Sequence, residues 1–102
     1  MAVDMSLPRE YRRRVERLLP GRIVDARLYG SRATGKARSD SDWDIAVFLR
    51  GAVGVNELNA LSDIGTELLC ETGEVIQSVG LPAAKLDDHT SYIRAVRAGI
   101  AI

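Results

Sequence analysis

The sequence predicts an α/β (α+β) domain, a small mixed β-sheet of three to four strands flanked by helices. Three observations predict it. Apolar residues switch along the chain between a helical spacing of about 3.6 and a strand spacing of two. Glycine or proline stands near most of the switches. The length of 102 residues suits about one domain with a modest core. Residues 1–102 are therefore read as one domain, and no internal repeat, low-complexity segment or interdomain linker divides them.

The elements follow in order. Residues 7–19 (LPREYRRRVERLL) place Tyr11, Val15, Leu18 and Leu19 on one helical face, with Ser6 as N-cap, Pro8 in the first turn and Pro20-Gly21 as the stop. RIVDARLYG, residues 22–30, sets Val24, Ala26 and Leu28 against Arg22, Asp25 and Arg27 and reads as a strand ending at a glycine. SRATGKARSDS is a polar connection with room for one helical turn, and Asp40 belongs to it. DWDIAVFLR then alternates Trp43, Ile45 and Val47, which face the core, with Asp42, Asp44, Ala46 and Phe48. Residues 53–70 carry Val55, Leu58, Leu61, Ile64, Leu68 and Leu69 at helical spacing, with Asn56 as cap and Gly73 at the exit. EVIQSVGL is the third strand. A last helix runs from Asp87 to Ala98, with His89 exposed or capping at its start, and Gly99 ends it before a short apolar tail.

Composition bounds the function. With 46% hydrophobic and 27% charged residues, and no run near the ~18 apolar residues of a membrane span, the chain is read as no membrane protein. The N-terminal MAVDMSLPREYRRR lacks the apolar stretch of a secretory signal, and the single Cys70 has no internal disulfide partner. Both features suit a reducing cytoplasm. Cys70, in the run LLC, is expected as a small buried hydrophobe. Net charge is zero, yet residues 1–50 hold 11 basic and 7 acidic side chains and the remainder 3 and 7. The asymmetry points to an anionic ligand near the N-terminal half, although Arg9, Arg12, Arg13, Arg14 and Arg17 read more simply as the solvated face of one helix. A pI of about 6.6 and a basic run without interleaved aromatics favour a small anion site over a broad nucleic-acid surface. A basic groove accepting RNA stays open as an alternative.

Chemistry concentrates at Asp42 and Asp44. Two residues apart on a strand, the carboxylates share a face within a few ångströms. Such like charges call for a cation between them, and Mg²⁺, a hard ion usually shared between one or two carboxylates and substrate phosphates, fits. In the preceding turn Gly30 lets backbone amides approach a ligand, Ser31 offers a hydroxyl, and Arg32 and Lys36 offer cations. A helical turn from Ser31 to Gly35 would aim its free N–H groups at the same place. Gly30 to Lys36 also reads G-x-x-x-x-G-K, nearly the phosphate loop of nucleoside triphosphatases. Ala37 removes the hydroxyl that holds Mg²⁺ in that motif, and RSDSDWD does not continue the long helix that should follow.

Gly30-Ser31, Gly35 and Ser41-Asp42-Trp43-Asp44 before an apolar strand resemble the signature of the DNA polymerase beta-like nucleotidyltransferases. The short chain resembles the minimal nucleotidyltransferase branch of that superfamily, more loosely from the first helix to the final TSYIRAVRAG. Members of that branch often pair with a HEPN-domain protein, and some are antitoxins that transfer AMP from ATP to a partner tyrosine. The resemblance implies the nucleotidyltransferase fold and Mg²⁺ as cofactor. It implies that Gly30 and Ser31 hold the triphosphate, that Asp42 and Asp44 bind metal, and that Arg32 contacts phosphate. The reaction implied is transfer of a nucleoside monophosphate, AMP foremost, to a hydroxyl acceptor. Catalytic members carry a third carboxylate on a later strand. Here that position falls near Ile76 or Gln77, and Glu74 would replace it only by a shift of about 7 Å along the strand. A nucleotide-binding and partner-binding module without turnover is the alternative expectation. An exposed sheet edge or apolar helix face would suit self-association.

Overall fold

The computed structural model describes residues 2–102. The chain runs α1 (Ser6–Leu18), β1 (Ile23–Tyr29), α2 (Ser31–Thr34), β2 (Trp43–Leu49), α3 (Val55–Thr72), β3 (Ile76–Pro82), a 3-10 turn (Ala83–Asp87), α4 (Ser91–Arg97) and β4 (Ile100–Ala101). The four strands form one mixed sheet in the order β3-β2-β1-β4. β1 lies antiparallel to β2 and to β4, and β2 lies parallel to β3. Parallel neighbours need a long crossover, and α3 supplies it.

Both faces of the sheet are covered. On the first, α1 and α3 bury Tyr11, Val15, Leu61, Ile64 and Leu68 against Ala26, Leu28, Trp43, Ile45, Val47 and Leu49. Full burial of each such aliphatic side chain is worth about 1.5–3 kcal/mol. On the second, Ile93 and Val96 of α4 pack on Ala46 and Phe48, with Tyr29, Leu81 and Leu86 at the margin. The double covering explains why Ile45 to Leu49 are buried without alternation. Arg14 ties the two helices of the first face, its guanidinium gripping both oxygens of Glu71 at 2.7 and 2.8 Å.

The structure corrects the sequence reading in detail. The pairing of β1 with β2 shifts register between Ile23 and Asp25, a bulge that seats Ile23 in the core and turns Val24 outward, 41% exposed. On α3 the buried stripe is Leu61, Ile64 and Leu68. Cys70 follows Leu68 by two residues, about 200° around the helix, and is exposed rather than buried. Leu58, Leu69 and Val55 are exposed as well, and so is Leu18 on α1. Ser6 is the first helical residue of α1, not its cap, and Asp4 accepts from both its N–H and its hydroxyl. α3 starts one residue before Asn56, with Gly54 as cap and Glu57 reaching back to the Gly54 N–H at 2.8 Å. β3 begins at Ile76, leaving Glu74 in the preceding turn. The last helix starts four residues later than expected, because Thr90 caps it by accepting from the Ile93 N–H; His89 is exposed in the connection before it. The apolar tail becomes β4, with Ile100 opposite Leu28 and Ala101 opposite Arg27.

Candidate functional site

The site is built where β1 turns into α2 beside the start of β2. Gly30 ends the first strand with φ 74° and ψ −157°, a conformation open essentially to glycine alone. It also touches Asp44. A Cβ at Gly30 would sit 3.2 Å from the Asp44 Cγ and run into one carboxylate oxygen. The glycine therefore has two jobs, turning the chain and admitting the carboxylate.

Ser31 opens α2, a single turn in which the Ala33 and Thr34 N–H groups both reach the Gly30 carbonyl, at 3.1 and 3.2 Å. Gly35 closes the turn in the left-handed conformation. At the open end the N–H groups of Ser31 and Arg32 have no acceptor within the turn, as in the first turn of any helix.

Asp42 stands just before β2 and Asp44 is its second residue, opposite Tyr29 across the β1–β2 ladder and opposite Gln77 across the β2–β3 ladder. Side-chain alternation puts Asp44, Tyr29 and Gln77 on the α4 face, and Asp42, two residues earlier, beside them. The Gln77 Nε2 donates to Asp42 Oδ2 at 3.3 Å. Burial, and secondarily the charge of Asp42, push the Asp44 carboxyl above the ordinary carboxylate range. Tyr29 and Tyr92 close one flank, with hydroxyls 3.1 Å apart and rings meeting edge to face at 5.9 Å. Burial, then the Tyr92 hydrogen bond and charge, then the Asp44 charge, raise the Tyr29 phenol.

Arg32 and Glu74 lie elsewhere. The Arg32 guanidinium sits 4.4 Å from the centre of the Trp43 ring and donates to the Ser41 carbonyl at 2.8 and 3.1 Å and to the Ser39 carbonyl at 3.2 Å. Glu74 accepts from the Trp43 Nε1 at 3.0 Å and pairs with Arg32 at 3.4 Å. Trp43 belongs to the α1/α3 face, so this cluster is across the sheet from the aspartates. Arg32 therefore staples the connection leading to Asp42 instead of pointing at a phosphate, and Glu74 anchors Trp43 and Arg32 instead of joining the aspartate pair. Strand spacing predicts Glu74 on β3; the turn after α3, where the Glu74 N–H reaches the Thr72 hydroxyl at 3.1 Å, takes it off the strand.

Of the residues singled out from sequence, Gly30, Ser31, Asp42 and Asp44 come together and Arg32 and Glu74 do not. Gln77, near which the resemblance puts the position of the third carboxylate, stands beside the aspartates, and the Tyr29–Tyr92 pair flanks them. The register of two parallel strands carries the first and a 63-residue separation the second; neither leaves a local spacing signal. Among the described residues no third His, Cys, Asp or Glu joins the pair to make a three-ligand metal group, and no helix is long and apolar enough to cross a membrane.

The family model for polymerase beta nucleotidyltransferase matches residues 16–87, a span that holds Gly30, both aspartates and Gln77. None of the curated proteins compared with the chain matches it. The chain belongs to the polymerase beta nucleotidyltransferase family.

Proposed function

We propose that the chain is a Mg²⁺-dependent nucleotidyltransferase that binds a nucleoside triphosphate, ATP foremost, and transfers its nucleoside monophosphate to a hydroxyl acceptor. The observation that carries this is the contact of Gly30 with Asp44, which joins the glycine turn and the carboxylate pair in one place. The donor chemistry fits Mg²⁺: two hard carboxylates share a strand face, and Asp44 is held above its ordinary pKa partly by the charge of Asp42, a repulsion that a divalent cation relieves. In this reading Asp42 and Asp44 hold the metal, while Gly30, the first N–H groups of α2 and the Ser31 hydroxyl hold the triphosphate. Bound there, the metal supplies charge neutralisation at the phosphates. The chain's own residues orient the nucleotide, and positioning with electrostatics gives most of the acceleration. The acceptor hydroxyl gives up its proton to solvent as its oxygen bonds to the α-phosphorus, the bond from the α-phosphorus to the oxygen bridging it to the β-phosphorus breaks, and pyrophosphate leaves.

The resemblance to the minimal branch supports a HEPN-type protein as acceptor and an antitoxin role in the cytoplasm, with residues 1–102 working as one domain. A second reading is favoured by Gln77, an amide at the place expected for the third carboxylate: a module that binds nucleotide and partner without turnover. Incubation with ATP labelled at the α-phosphate and a HEPN-type protein separates the two. Label on the partner, lost in Asp42→Ala/Asp44→Ala, supports transfer. Sound nucleotide binding with no labelled partner moves the conclusion to the binding module.

A further inference from the structure

Gln77 faces Asp44 across the parallel β2–β3 register, and its amide nitrogen, the end that faces the carboxylate, donates to Asp42 at 3.3 Å. A carboxylate only accepts, so the nitrogen and not the oxygen must point that way. The group that completes the pair is thus neutral and presents N–H, which repels a cation. The two carboxylates and the triphosphate oxygens serve one divalent ion; a second hard ion on the side of the pair away from the triphosphate would need a further anionic oxygen from the chain, and no third acidic side chain joins the pair among the described residues. A glutamate has the same length and shape as Gln77 but would present an oxygen in place of this N–H.

We propose that Gln77 limits the site to one divalent cation, bound together with the nucleotide, by satisfying Asp42 with an amide where a carboxylate would bring in a second ion. The inference rests on the Mg²⁺-nucleotide reading of the same aspartates and deepens it: Gln77 sets metal stoichiometry. Gln77 is exposed at the end of a ladder, so substitutions there leave the core packing untouched.

Electron paramagnetic resonance with Mn²⁺ as the probe, in the presence of an α,β-methylene analogue of ATP, counts the ions bound per chain. Wild type should bind one. Gln77→Glu should bind two, the second at least tenfold more tightly than any further ion on wild type. Gln77→Asp, a shorter carboxylate, repeats the test should Gln77→Glu fail to fold, and Gln77→Ala should remain at one. Two ions on wild type, or one on the folded carboxylate variants, overturns the proposal while leaving the nucleotide-site reading intact. No Mn²⁺ on wild type overturns that reading and this proposal with it.

Discussion

Gly30→Ala tests the local geometry from two directions at once. An alanine held at φ 74° and ψ −157° lies in a region populated almost only by glycine, at a strain of about 1–3 kcal/mol. Its Cβ would also meet the Asp44 carboxylate, with Cγ at 3.2 Å, and the packed sheet beneath β2 leaves the strand little freedom to retreat. Gly35 is the control: its φ is 77°, but nothing lies within 4 Å of an added Cβ, so Gly35→Ala carries only left-handed strain of about 1 kcal/mol, partly offset by a stiffer unfolded chain. Gly30→Ala should therefore be less stable than Gly35→Ala by about 2 kcal/mol, which in a domain of this size is a melting temperature lower by roughly 8–16 °C. Differential scanning calorimetry reads the difference. In an Asp44→Ala background the cost of Gly30→Ala should fall by about 1 kcal/mol, because the steric share disappears and the strain remains. Equal melting temperatures for the two glycine variants, or full additivity with Asp44→Ala, would refute the argument that Gly30 is required by its contact with Asp44.

Other outcomes follow from neighbouring features. Asp44 has a folded pKa above its unfolded value, so the folded state binds the extra proton and this group's contribution to stability is lost as pH rises through the folded pKa; without divalent cation, Asp44→Asn should melt higher than wild type at pH 7, with the gap closing as the solution is acidified through the carboxylate range. Glu74→Gln should keep the Trp43 hydrogen bond, cost about 0–1 kcal/mol through the partly exposed Arg32 pair, and leave Mg²⁺-nucleotide affinity within about twofold by calorimetry; a tenfold loss would restore Glu74 to the site. Tyr11 has a fully buried hydroxyl without a hydrogen bond of normal geometry, and burial pushes its phenol up to about 12 although the Ser78 hydroxyl draws it back. Tyr11→Phe should thus unfold in urea at an unchanged or higher midpoint, by up to about 1 kcal/mol, and a loss of more than that would show a polar partner for the hydroxyl.

What the sequence made legible is what depends on neighbours along the chain. Period two placed Asp42 and Asp44 on one face, and the glycine before Ser31 marked a turn that only glycine makes. The stripe Leu61, Ile64, Leu68 gave the central crossover helix. Illegible parts depend on pairing across the fold. Val24 turned outward because β1 bulges against β2, and Ile100 and Ala101 became a strand only because the β1 edge receives them. Arg32 looked like a site residue by its charge beside the motif, and Glu74 by its place two residues before Ile76, where a third carboxylate was expected. A tryptophan whose ring and N–H both engage them, on the other face of the sheet, drew them away. Cys70 shows the same limit in small, since an apolar run does not fix which of its members meets solvent.

The central claim is that the Gly30 turn and the Asp42–Asp44 pair together hold a Mg²⁺-nucleotide. Isothermal titration calorimetry with ATP and Mg²⁺ tests it most directly. Wild type should bind ATP only when Mg²⁺ is present, and Asp42→Ala/Asp44→Ala, shown folded by circular dichroism, should lose that binding. Unaltered affinity in the double variant, or equal affinity of wild type with and without Mg²⁺, would contradict it.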